Sequence, residues 1–210
     1  MRFKSALFVS AALAFMLPGT ARADEGMWTF DAFPAARMKQ AYGWAPNQAW
    51  LDKTRAAAVR LTGGCSASFV SDAGLILTNH HCVATCVEDN SSAENNILAK
   101  GFTARSISEE KKCAGQQAEV VTSIRDVTPT VKAAIGMATG ADAVRARTAV
   151  TARIEAENCT DKTTTRCQVV SLYGGGQYKL YTYRKYSDVR LAWAPEAQAA
   201  QFGGDRKSVV

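Results

Sequence analysis

The sequence predicts an α+β fold, half of an antiparallel β-barrel interrupted by a block of helix. Three observations lead there. Short apolar runs bounded by glycine and polar turn residues occur at Val59-Arg60-Leu61, Cys65 to Val70 and Leu75-Ile76-Leu77, and return at Ala118 to Val127 and from Cys167 onward. Between these strand-rich parts lies a helical block of about 30 residues, in which Ala143, Ala146, Val150 and Ile154 recur at helical spacing. The 210-residue chain shows no internal repeat, low-complexity run or clear linker, so the block reads as an insertion and not as a second domain.

The elements follow in order. Arg2 and Lys4 precede an apolar run from Ala6 to Leu17, and Ala21-Arg22-Ala23 stands before Asp24. That is the pattern of a secretory signal peptide over residues 1–23, with a run short of the roughly 20 residues of a bilayer span. The mature chain is therefore expected to be exported and soluble, free of the membrane once cleaved, and periplasmic or secreted. Phe33-Pro34 opens a predicted helix that ends at Tyr42 before Gly43. Pro46-Asn47 opens a second, to about Ala58, with Trp50, Leu51 and Ala57 on its apolar side. Two strands joined at Asp72-Ala73-Gly74 come next. Ala93 to Lys100 reads as helix, broken by Gly101-Phe102, and Lys111 to Gln117 as a polar loop. Helices over Thr130–Met137 and Asp142–Glu157 precede a strand from Cys167 to Tyr173. The Gly174-Gly175-Gly176 turn lacks the Lys-Ser/Thr ending of a phosphate loop. Gln177 to Trp193 reads as a further hairpin folded at Ser187-Asp188. Its tyrosines (Tyr178, Tyr181, Tyr183, Tyr186, with Tyr173 before them) fit cross-strand packing better than a stacking platform for bases or sugars.

The formal charge of +6 overstates the mature protein. Three of the 25 basic residues (Arg2, Lys4, Arg22) precede Asp24, so 22 remain against 19 acidic ones, a net +3. No basic run is interleaved with aromatics, and nucleic acid is excluded as a partner. The triplets Asn90-Ser91-Ser92 and Asn158-Cys159-Thr160 read as chance sequons.

All six cysteines, Cys65, Cys82, Cys86, Cys113, Cys159 and Cys167, follow the signal peptide, and an even number in an exported chain reads as disulfides. The hairpin favours Cys65–Cys82, and the short separation favours Cys159–Cys167 as a loop staple. Cys86–Cys113 then remains.

The chemistry centres on Thr78-Asn79-His80-His81-Cys82, which holds the only two histidines of the chain at a strand end. His80, His81, Cys82 and Cys86 could be zinc ligands. Neighbouring residues on an extended chain point to opposite sides, however, and Cys65 and Cys82 suit a disulfide, so no metal is expected. A histidine followed at once by cysteine, with a second cysteine one hairpin upstream, resembles the histidine hairpin of trypsin-like serine peptidases. There the imidazole is the general base toward a serine. His81, which directly precedes the cysteine, is the candidate base, and His80 its structural neighbour.

Four segments extend the resemblance. They are Glu25-Gly26-Met27-Trp28, the run from Gly63-Gly64-Cys65 to Cys82, Leu172-Tyr173-Gly174-Gly175 with Tyr178, and Arg184 to Leu191 continuing through Ala194-Pro195 to Phe202-Gly203-Gly204-Asp205. On these the chain resembles the N-terminal part of the bacterial dipeptidyl-peptidase 7 and 11 family of serine peptidases. The resemblance implies a trypsin-like double barrel with an added helical domain. It implies release of dipeptides from peptides with a free N-terminus through an acyl-enzyme, no metal or organic cofactor, His81 as the base, and a homodimer at full length. In that family Phe-Gly-Gly-Asp is followed by an Asp-Asn-aromatic segment, then the catalytic Asp, and much later the nucleophilic Ser in the second barrel. None of these occurs here. Ser66, Ser68 and Ser71 lack a nucleophile context, and neither Asp126 nor Asp188 matches the family's aspartate. The expectation is a partial trypsin-like barrel over residues 24–204 with the second barrel missing, residues 205–210 as a non-native tail, and no activity of the fragment alone. The competing expectation is a non-catalytic exported binding or scaffold protein that retains the barrel half.

Overall fold

A computed structural model describes residues 28–201 and 207–209. The expected signal peptide over residues 1–23, Glu25-Gly26-Met27 and Phe202-Gly203-Gly204-Asp205 lie outside the described residues. The chain divides into two compact units, Met1–Phe33 and Pro34–Val210. In the first, the described residues form a turn in which the Ala32 amide donates to the Thr29 carbonyl at 3.0 Å.

The second unit opens with α1 (Ala35–Tyr42) and α2 (Gln48–Ala57). Gly43 ends α1 in the left-handed region at φ 72°, its amide donating to the Lys39 carbonyl. Asn47 caps α2 by accepting the Trp50 amide at 2.9 Å. Leu51 is buried, but Trp50 is 51% exposed, so the apolar side of α2 is narrower than its sequence suggests. Strands β1 (Ala58–Leu61), β2 (Ser66–Phe69) and β3 (Ile76–Asn79) follow as an antiparallel meander. A short 3-10 turn (His80–Val83) leads into α3 (Ala84–Asp89), and α4 spans only Ile97–Lys100 of the longer helix expected there. After β4 (Phe102–Thr103) and β5 (Lys111–Lys112) comes the long β6 (Ala118–Asp126).

The helical block is a pair, α5 (Thr128–Ile135) and α6 (Gly140–Asn158), between β6 and β7 (Thr165–Leu172). It is fastened at its end. The Val169 amide donates to a Glu155 carboxylate oxygen at 2.7 Å, and Cys159 at the end of α6 is bonded to Cys167 on β7. The chain then runs through β8 (Gln177–Tyr186), β9 (Arg190–Leu191), β10 (Trp193–Ala194), α7 (Ala197–Gln201) and β11 (Lys207–Val209). Of residues 205–210, those described are thus an antiparallel strand beside β3.

Among the described residues, nine strands form one sheet in the order β4-β10-β11-β3-β2-β1-β6-β8-β7, with β5 and β9 as a separate pair. All pairings are antiparallel. β4 and β7 are the edges of the large sheet and do not pair with each other. The expected hairpin at Ser187-Asp188 is absent. β8 pairs with β6 and β7, whereas β9 leaves that sheet for β5. The cause is tertiary: Val189 is buried, and its carbonyl accepts the Cys113 amide at 2.9 Å, which turns the chain across the sheet.

Two hydrophobic clusters result. One joins Val59 and Leu61 of β1, Ile76 of β3, Val87 of α3, Ile97 of α4 and Leu191 of β9. The other joins Val131 of α5, Val150 and Ile154 of α6, and Tyr178 and Leu180 of β8. Both sequon asparagines have side-chain partners within the chain, Asn90 partly buried and Asn158 exposed. Asn90 donates to the Cys86 and Lys112 carbonyls, and Asn158 donates to the Ile154 carbonyl while accepting from Arg125. Among the described residues, no helix is long and apolar enough to cross a membrane.

Among the described glycines, Gly101 has the closest backbone neighbours. It sits at φ +72°, and a Cβ there would lie 3.0 Å from both the Ala194 carbonyl oxygen and the Glu196 amide nitrogen. Gly101→Ala is expected to destabilise the protein by about 1–3 kcal/mol, read as a lower urea midpoint, because both the φ and the contacts are unfavourable to a side chain.

Candidate active site

Alternation along β3 buries Ile76 and Thr78 and exposes Asn79. The Thr78 hydroxyl donates to the Ser66 carbonyl at 2.9 Å, fixing β3 against β2 close to its end. The next four residues wind into the 3-10 turn, where three residues complete a turn and positions i and i+3 coincide. His80 and Val83 are therefore buried together, 8% and 1% exposed, and His81 is left on the outer surface. The two imidazoles do diverge, through the winding of the turn and not through the extended backbone assumed from the sequence.

Disulfides fasten this turn on both sides. Cys82 is bonded to Cys65, which follows the β1–β2 turn at Gly63-Gly64, with Cα atoms 5.9 Å apart. Both glycines have φ above +90° there, as the tight reversal requires. One turn further on, Cys86 in α3 is bonded to Cys113. A ring nitrogen of His81 and the sulfurs of Cys65 and Cys82 all lie within 4.8 Å of one another. With every cysteine paired, the sulfurs are not thiolate ligands. The exposed ring is thus carried on a loop whose backbone is fixed by two buried side chains, one strand register and two covalent links.

The other residues singled out in the sequence have separate tasks. Asp126 accepts the Thr128 amide at 2.8 Å and the Gln177 side chain at 3.2 Å, and its pKa is lowered from the ordinary carboxylate range, first by the Thr128 side chain and then by these two bonds. Asp188 accepts two bonds from Arg190, and its pKa is lowered mainly by them. The Ser68 hydroxyl donates to the Phe69 carbonyl, and the Ser71 hydroxyl accepts the Leu75 amide inside the β2–β3 turn. The tyrosine rings pack both along and between strands: Tyr181 and Tyr183 stack at 6.2 Å along β8, Arg166 of β7 lies 4.0 Å over Tyr183, and Phe69 of β2 meets Tyr186 edge-on at 6.0 Å. Arg166 also bonds Glu119 at 2.7 Å, which links β7 to β6 across β8.

A wide groove that the sequence did not announce opens at the β2–β3 turn, with a volume of about 1140 Å³. Phe69, Val70, Leu75, Ile107 and Tyr186 supply its apolar wall, and the Asp188–Arg190 pair lies in it. It contains no histidine and begins where β3 begins, whereas His81 follows the end of that strand. Exposed Ile107 and Val70, 74% and 55% accessible, could not have been recognised as one surface from a sequence that places them 37 residues apart.

Residues 23–208 match the family model described as Peptidase S46, and the chain belongs to that family. The relatives are dipeptidyl-peptidases. The chain is 33% identical over 212 residues to the Asp/Glu-specific dipeptidyl-peptidase of Porphyromonas endodontalis, an alignment that takes in 94% of this chain and 29% of that protein. It is 31% identical over 213 residues to dipeptidyl-peptidase 7 of Porphyromonas gingivalis, covering 98% of this chain and 30% of the relative. Among solved structures, Porphyromonas endodontalis DPP11 in complex with the dipeptide Arg-Glu superposes with a TM-score of 0.74 at 28% identity, over 89% of this chain and 31% of that one. The same enzyme in an alternate conformation gives 0.76 at 29% identity, over 89% and 31%. The chain therefore spans about three-tenths of the length of the relatives it matches.

Proposed function

We propose that this chain is the N-terminal part of an exported serine-type dipeptidyl-peptidase, one half of a trypsin-like double barrel, with His81 as its general base. The observation that carries the reading is the fixed and outward-facing ring. His80 and Val83 anchor the turn in the core, the Cys65–Cys82 disulfide closes it, and His81 faces outward beside that link. A base needs this combination, because proton transfer requires a reachable nitrogen held within hydrogen-bond range of its partner.

In the proposed cycle the His81 imidazole takes the proton of a serine hydroxyl as that oxygen attacks the second peptide carbonyl of the substrate. It then gives the proton to the departing amine, leaving the dipeptide esterified to the serine. Water repeats the sequence in reverse roles and frees the dipeptide. The serine and the orienting aspartate come from sequence beyond this chain, and the cycle uses no metal or organic cofactor. The substrates are peptides with a free N-terminus, met in the periplasm or outside the cell. Residues 24–204 alone have the base without its nucleophile and release no dipeptides.

The test compares the protein encoded by the complete reading frame with residues 24–204, on one peptide offered with a free and with an acetylated N-terminus. The complete protein is expected to release dipeptides from the free form only, and the segment from neither. Cleavage of the acetylated peptide by the complete protein would indicate an endopeptidase, and turnover by the segment would place the nucleophile inside it.

A further inference from the structure

The cluster of Cys65, Cys82 and His81 has a second chemical capacity that its disulfide suppresses. Thiolate, and not disulfide, binds metal, and here two sulfurs and one imidazole nitrogen already lie within 4.8 Å of one another. We propose that reduction of the Cys65–Cys82 disulfide converts this cluster into a zinc site. Its ligands are Cys65 Sγ, Cys82 Sγ and a ring nitrogen of His81, with a fourth position left to water.

Four observations support it. Two soft thiolates with one imidazole form a donor set suited to zinc. Around a tetrahedral zinc with Zn–S near 2.3 Å and Zn–N near 2.0 Å, ligand atoms lie about 3.5–3.8 Å apart. With these atoms up to 4.8 Å apart, the present spacing needs a contraction of up to about 1.3 Å toward the imidazole. It also needs a separation of the two sulfurs, which opening their bond permits. Access favours this pair: Cys86, Cys113 and Cys159 are buried, so each of the other two disulfides has at least one buried half, whereas Cys65 and Cys82 are both partly exposed. Lastly, the frame does not depend on the S–S bond alone. Ala67 pairs with Thr78 in the β2–β3 ladder, Thr78 is bonded to the Ser66 carbonyl, and His80 and Val83 remain in the core, so the three ligands stay close after reduction.

The chemistry balances. A dithiol delivers two electrons and two protons to the Cys65–Cys82 bond and leaves as a disulfide, giving two protein thiols. Zinc then displaces both thiol protons to solvent and takes the neutral imidazole through its lone pair. The consequence for catalysis rests on the proposed role of His81: a metal-held lone pair cannot accept the serine proton, so reduction plus zinc would silence the enzyme. The metal site itself does not depend on that role.

The experiment uses Co²⁺ as the probe and the mature full chain, opened with a phosphine reductant that is consumed to the phosphine oxide with one water. Mass spectrometry first identifies the cysteines reduced under native conditions, expected at Cys65 and Cys82. The reduced chain should then take up Co²⁺ with thiolate-to-metal charge-transfer absorption that zinc abolishes. The oxidised chain should show none. His81→Ala, an exposed substitution that leaves the fold in place, should weaken Co²⁺ binding by at least about 10- to 100-fold. Cys65→Ser with Cys82→Ser should remove the absorption. A reduced chain without the absorption overturns the proposal, as does an absorption of equal strength and affinity in His81→Ala. None of these readings involves peptide hydrolysis, so they stand or fall apart from the peptidase assignment.

Discussion

His81→Ala in the complete protein is expected to lower kcat/KM for dipeptide release by about 10⁴- to 10⁶-fold, with nearly all of the loss in kcat. In the proposed role the proton carried by the imidazole moves only in the transition state, so the ground-state complex loses little and KM should stay within a few-fold. The fold should be untouched. The ring is on the surface, and the turn is held by His80, Val83 and the two disulfides. Circular dichroism and a melting midpoint within a few degrees of the parent would establish that. Retention of activity within tenfold would remove His81 from the mechanism. His80→Ala provides the contrast. That side chain is 8% exposed and lies with the core, so its loss should lower the melting midpoint.

The second large effect is on stability. Replacing Cys65 and Cys82 together by serine is expected to cost about 2–4 kcal/mol, because the link closes a loop with a separation of 17 residues. The readout is a lower urea midpoint at nearly unchanged slope. In the complete protein kcat should fall as well, since this bond is one of the two covalent links on the turn that carries the imidazole. A pair variant with the parent's midpoint and rate would mean that the β2–β3 register holds the turn unaided.

Local chemistry was legible in the sequence where one segment decided the outcome. The 19-residue α6 announced itself by Val150 and Ile154 on one side, and both are buried. The Cys65–Cys82 pair followed from a hairpin that brings its two ends together, and the strand leading into His80-His81 could be read from the apolar run Leu75-Ile76-Leu77. What escaped depended on distant partners. α3 holds Thr85, Cys86, Val87 and Asp89, all weak helix formers. It stands because Val87 enters the core and Cys86 is bonded to Cys113. β9 is two residues long and was folded into the wrong hairpin, because periodicity identifies a strand without naming its neighbour. Trp50 followed the helical pattern of α2 but faces solvent, as nothing in a helix period says how wide the covered stripe will be.

The two separate cores divide the molecule's tolerance for change. Val131, Val150 and Ile154 pack with β7 and β8 and share no cluster with the residues that seat the His81 turn. Substitutions in the helical pair therefore reach the imidazole only through β6 and β8, as rigid shifts of paired strands. The insertion is the part of this chain in which sequence can drift, lengthen or acquire new surface contacts while His81 keeps its position.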